Sequence, residues 1–166
     1  MRDSRGVEGR DRTVITGTVE LPHPPEDVFA AVMSPEIAPQ IDPAVRRWEP
    51  DRRPIGIGTT FEIRGWFQWL PIRGTSRVTE WDPPRRGVFE SIRPVRPLRV
   101  LAVHELEPDG AGTRYTWSQT FFHDGRVGRL AARVITPLVE RTIADQHRTL
   151  AAWLDAHPGA SGFAQL

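Results

Sequence analysis

The stretch LRVLAVHELEPDGAGTRYTWSQTFF, residues 98–122, decides how this chain folds. Two runs with alternating character, 98–107 and 113–122, flank Pro108-Asp109-Gly110, a turn signal that joins antiparallel strands. On the first run Val100, Ala102, His104 and Leu106 share a face. On the second, Tyr115, Trp117, Gln119 and Phe121 do. The period then changes from two to that of a helix. Between 126 and 157, Val127, Leu130, Val134, Leu138, Ile143, Leu150, Trp153 and Leu154 recur at helical spacing, which predicts one apolar stripe. Pro137 is expected to kink or divide that helix, because it lacks an amide and crowds the preceding turn.

Upstream, strands are expected at 45–49, 59–66, 74–81 and 87–93. They are set apart by Gly56 and Gly58 and by Asp82-Pro83-Pro84-Arg85. A first strand, 13–21, alternates so that Ile15, Gly17, Val19 and Leu21 face the core. Between it and the rest, 24–40 reads as two short helices. Pro25 sits in the first turn of one with Glu26 and Asp27 near its positive end, and Ser34-Pro35-Glu36 caps the other. The pattern predicts an α+β domain over 12–157, a curved antiparallel sheet of seven strands gripping one long carboxyl-terminal helix. Residues 1–11 and 158–166 read as a disordered and a flexible tail. A curved sheet with one covering helix leaves a hollow suited to a small apolar molecule.

Composition narrows the function. At 166 residues the chain buries a core without staples. It has no cysteine, which removes disulfides, thiolate metal sites and cysteine nucleophiles together. The five histidines show no HExxH pattern, and nothing calls for a metal or a cofactor. All 22 basic residues are arginine, so there is no Schiff-base lysine, and no GxSxG is present. The formal net charge of +1 argues against nucleic acid as a partner. No apolar run approaches the ~20 residues of a membrane span, so stable membrane insertion is not expected. The first twelve residues lack a signal peptide's apolar core, and a cytoplasmic location is the expectation.

Four stretches carry a resemblance over nearly the whole chain, roughly 13–155. They are LPHPPEDVF (21–29), VTEWDPPRR (78–86), EPDGAGTRYTW (107–117) and the closing amphipathic helix. In that order and spacing the chain resembles the START-like, helix-grip (SRPBCC) superfamily, in its polyketide cyclase/dehydrase and lipid-transport branch. The resemblance implies a helix-grip fold, and a role in binding hydrophobic ligands, cyclising or dehydrating polyketide intermediates, or carrying lipids. These motifs are structural, and no single catalytic set is shared across the family, so none is carried over.

Candidate site residues come from alternation. Phe61, Ile63, Val100, Ala102, His104, Tyr115, Trp117, Gln119 and Phe121 on the sheet, with Val134 and Leu138 on the helix, are expected to line the hollow. His104, the lone tyrosine Tyr115 and Glu90, which alternates with Val88 and Ile92, are the candidates for acid/base chemistry. A core histidine, a packed tyrosine and a solvated glutamate are the plainer readings of the same residues. Trp66, Phe67, Trp69 and Leu70 fall in a turn, where exposed aromatics mark a lid or a surface for a partner, a second copy of the chain included. Three functions follow: a binder of a small hydrophobic ligand, polyketide-like, polycyclic or lipid; a cyclase or dehydratase acting on such a ligand; and an interaction protein using the aromatic turn.

Overall fold

The computed structural model describes residues 12–67, 70–93, 98–123 and 125–162. The chain runs β1 (Arg12–Leu21), α1 (Pro25–Met33), α2 (Ala38–Ile41), β2 (Val45–Pro50), β3 (Thr60–Phe67), β4 (Leu70–Asp82), β5 (Arg86–Arg93), β6 (Leu98–Asp109), β7 (Gly112–His123) and α3 (Gly125–Ala156), then a 3-10 turn at Ala160–Gly162. The seven strands form one antiparallel sheet in the order β1-β7-β6-β5-β4-β3-β2. Six strands are therefore a meander, and only β1 leaves sequence order, crossing to pair with β7. The β6–β7 turn is the one its residues predicted. Asp109 faces Gly112, and Gly110 holds φ +60°, a conformation glycine enters without steric cost.

The alternation of β1 and β3 to β7 sends one apolar face inward. Ile15, Leu21, Phe61, Phe89, Leu106, Tyr115, Trp117 and Phe121 are buried there against Val28, Phe29, Val32 and Met33 of α1 and Val139, Ile143, Leu150 and Leu154 of α3. Proline placement shapes α1, with Pro24 at its N-cap and Glu26 and Asp27 in its first turn. Ser34 does not cap the next helix as expected. It ends α1 and donates its hydroxyl to Glu36, and α2 is a single turn starting at Ala38.

Glycine decides two close approaches. A Cβ on Gly17 would fall on the Ile143 side chain, so this position lets α3 lie against β1. A Cβ on Gly65 would fall on the Ala44 carbonyl oxygen, which accepts the Trp66 amide at 3.0 Å beside the β2–β3 irregularity. Backbone cannot yield as a side-chain tip can. Gly65→Ala is therefore expected to lower stability by at least about 1–3 kcal/mol, read as a lower urea midpoint at unchanged m-value.

Pro137 lies inside α3 and does not divide it, since the helix runs unbroken from Gly125 to Ala156. Of the tail expected over 158–166, residues Ala160–Gly162 form the 3-10 turn. Ala160 is buried against α1 and the Ser161 amide donates to Asp27 Oδ1 at 2.9 Å. The tail expected over 1–11 lies outside the described residues.

Candidate functional site

β6 and β7 bring together the polar side chains that alternation aims inward. His104 is register-paired with Trp117, and Tyr115 sits one inward position further along β7, opposite Leu106. His104 Nδ1 and the Tyr115 hydroxyl are 2.8 Å apart, both buried. The imidazole is parallel to the Trp117 ring at 5.6 Å and 14°, and meets Phe89 edge-on at 5.7 Å. From above, α3 lowers His147 onto Tyr115, with centroids 5.4 Å apart. Gly17 makes room for this descent, since a Cβ there would come within 3.0 Å of His147 Cε1.

Burial sets the protonation states. It pushes His104 down to about 3, helped by the neighbouring His147, and lowers His147 as well. Burial first, and Asp42 second, raise Tyr115 well above its ordinary value. At pH 7 the cluster is therefore two neutral imidazoles and a protonated phenol. Asp42, at the end of α2, is buried and accepts the Ala44 amide at 2.9 Å; burial raises its carboxyl to about 6. A neutral His104 is no general acid at neutral pH and a weak base.

Hydrogen-bonding capacity is left over. Trp117 Nε1, His147 Nε2, Gln146 Oε1 and His123 Nδ1 are buried without a partner. Buried polar atoms in native proteins are nearly always paired, and each orphan costs roughly 1–3 kcal/mol. The site thus holds one fixed donor, the indole N–H, and an imidazole nitrogen within an aromatic wall.

The candidate residues divide. Phe61, Trp117 and Phe121 are buried with His104 and Tyr115 in one core. Ile63, Val100, Ala102 and Gln119 are half-buried; Ala102 faces Gln119 across the pairing, next along from His104 and Trp117. Together they floor a strip of the inner sheet that runs from the cluster toward the β3–β4 tip. Leu138 is half-buried, but Val134 is 59% exposed, on the outer side of α3. Glu90 is on the outer face: Phe89, opposite Ala102, takes the inward position, and Glu90 pairs with Arg99 at 3.0 Å. Trp66 is 52% exposed at the tip, where Phe67 pairs with Leu70. The side chains of Phe67 and Leu70, and Trp69 entirely, lie outside the described residues.

An enclosed pocket between sheet and helix was also expected. Two superficial concavities of about 490 and 460 Å³ lie elsewhere, one against Pro35, Trp48 and Arg53, the other against Leu21, Asp109 and Thr113. Around His104 the rings of Phe89, Tyr115 and Trp117 lie within 6.0 Å, centroid to centroid. Alternation missed three residues, Asp42, Gln146 and His147. His147 had a signal, since it falls at helical spacing with Ile143, Leu150 and Leu154; Asp42 had none.

The sequence pattern of the family described as polyketide cyclase / dehydrase and lipid transport matches residues 12–155. Among solved structures the chain is similar to the ZhuI aromatase/cyclase of Streptomyces sp. R1128, at 14% identity and TM-score 0.77 over 92% of this chain and 99% of that one. It is similar to a protein of Thermus thermophilus at 21% identity and TM-score 0.73, over 89% and 100%. Norcoclaurine synthase of Thalictrum flavum aligns at 13% identity and TM-score 0.65, over 90% and 98%. At these identities the likeness is one of fold. No curated protein matches the chain.

Proposed function

The chain belongs to the polyketide cyclase / dehydrase and lipid transport family, and from that premise we propose that it binds one small hydrophobic ligand, polyketide-like, polycyclic or lipid, on the inner face of the sheet under α3. The observation that carries the reading is the pair of unpartnered buried nitrogens, Trp117 Nε1 and His147 Nε2, beside the His104–Tyr115 hydrogen bond. A ligand carbonyl satisfies the indole donor, and a ligand hydroxyl completes the imidazole. The half-buried strip of Ile63, Val100, Ala102 and Gln119 meets the apolar body of the ligand.

Native mass spectrometry of protein from its own source cells tests this first, by seeking a retained apolar compound. Trp117→Phe then keeps the aromatic fill and deletes the N–H. One lost hydrogen bond is worth about 1 kcal/mol, so affinity for that compound should fall about fivefold. Removing an orphaned donor should leave the melting temperature unchanged or higher. Unchanged affinity would reject the role given to Trp117, and a protein that retains no apolar compound would reject the reading itself.

A second reading is a cyclase or dehydratase acting on the ligand, favoured by the His104–Tyr115 hydrogen bond. The low basicity of His104 weighs against it. Turnover of the retained compound, abolished in Tyr115→Phe, would decide for it.

A further inference from the structure

The first half of α3 carries more apolar surface than the fold uses. At about 100° per residue, the residues that pack on the sheet side, Gly128, Ala132, Val139 and Ile143, lie along one side of the helix. Val127, Leu130 and Val134 lie roughly opposite, and are 74%, 65% and 59% exposed. They form a second stripe at i, i+3 and i+7 that touches no part of the core.

Charge says what covers it. From Gly125 to Val139 the helix carries Arg126, Arg129 and Arg133 and no acidic residue; the first acid is Glu140. The register places this segment at the end of the sheet that holds the β3–β4 tip, because β7 ends beside the start of β6, and β5 ends beside the start of β4. Exposed Arg64, Arg73 and Arg93 and half-exposed Trp66 belong to that end. Among the described residues the acids nearest that end, Glu49, Glu62 and Glu90, are each paired with an arginine. Glu20, Asp82, Glu107 and Asp109 lie toward the opposite end. A net charge of +1 thus conceals a molecule with one basic end.

We propose that the outer face of Gly125–Val139 is a docking surface for an anionic phospholipid bilayer. Arg126 and Arg133 meet the headgroups while Val127, Leu130 and Val134 enter the boundary beneath them, as a basic amphipathic helix does when it lies in the plane of an interface. No described helix is long and apolar enough to cross a membrane. This surface faces away from the inner sheet and does not rest on the ligand reading.

Co-sedimentation of the full chain with vesicles tests it, comparing phosphatidylcholine mixed with phosphatidylglycerol against phosphatidylcholine alone. The protein should bind the anionic vesicles, and weaken as salt rises from about 0.1 to about 0.5 M. Leu130→Ser with Val134→Ser, and separately Arg126→Glu with Arg133→Glu, should each reduce binding about tenfold or more. Both pairs are exposed, so melting temperature and ligand affinity should hold, which keeps a failure here distinct from a failure of the ligand reading. No binding, equal binding to neutral vesicles, or variants that bind like the parent would overturn the proposal. So would sedimentation equilibrium showing a dimer that Leu130→Ser with Val134→Ser dissociates, since a second copy would then cover the stripe.

Discussion

An Asp42→Asn protein is expected to be more stable than its parent by about 3 kcal/mol above pH 7, and to lose stability in acid more steeply than the parent does. Asp42 is buried, and its carboxyl is raised from 3.8 to about 6. A raised acid favours folding in its protonated form. Its contribution is therefore whole below about pH 3.8 and lost as pH climbs through about 6. His104 has the opposite sign. Lowered from 6.5 to about 3, it contributes stability above pH 6.5 that disappears as pH falls, at about 1.4 kcal/mol per unit. His147, lowered too, adds in the same sense. Between about pH 4 and 6 the Asp42 and His104 slopes oppose each other and are of equal size, which flattens the parent's curve. Asparagine keeps an acceptor for the Ala44 amide and removes the ionisation. Urea melts across pH 4–8 check this, and a variant whose curve runs parallel to the parent's would refute it.

Phe61→Ala should cost about 3–5 kcal/mol. Phe61 has no exposed surface, stacks on Trp48 at 4.4 Å and 22°, and meets Phe89 edge-on at 5.7 Å. It fills the space between edge strand β2 and the interior, so its loss opens a cavity that Trp48, held by β2, closes only in part. The damage should travel further, because the opposite edge of the same stack is Phe89 against His104. We expect the midpoint to fall steeply in urea, with Phe61→Leu recovering most of the loss. A deficit under about 1 kcal/mol would mean that Trp48 collapses into the gap.

What the sequence made legible was the sheet. Alternation with period two placed His104, Tyr115 and Trp117 on one inward face, and turn residues announced the β4–β5 and β6–β7 hairpins. It failed where the contact depends on size and not on hydrophobicity. On α3 the period picked out Val127, Leu130 and Val134, yet Gly128 and Ala132 are the residues that allow close packing; a Cβ on Gly128 would meet His123 Cβ at 2.9 Å. It failed at Glu90 because alternation gives two faces without saying which is inward: Phe89, opposite Ala102, takes the inward one, and Glu90, opposite Leu101, the outer. Asp42 was out of reach for a different reason. Its burial comes from how α2 closes over β2, a property of tertiary packing that no local pattern encodes.

The crossing of β1 to pair with β7 has a consequence for biosynthesis. Thr16 meets Ser118 across 102 residues of chain, so among the described strands the earliest to leave the ribosome pairs with the last. The hairpins of the meander can close as they emerge, each within a few tens of residues, whereas β1 must wait with its inward face uncovered. Closing so long a loop late makes the final step slow, and leaves a strand open to pairing with other nascent chains. Ribosome-bound chains halted before β7 should accordingly protect β3 to β6 from hydrogen exchange while 12–21 remains unprotected.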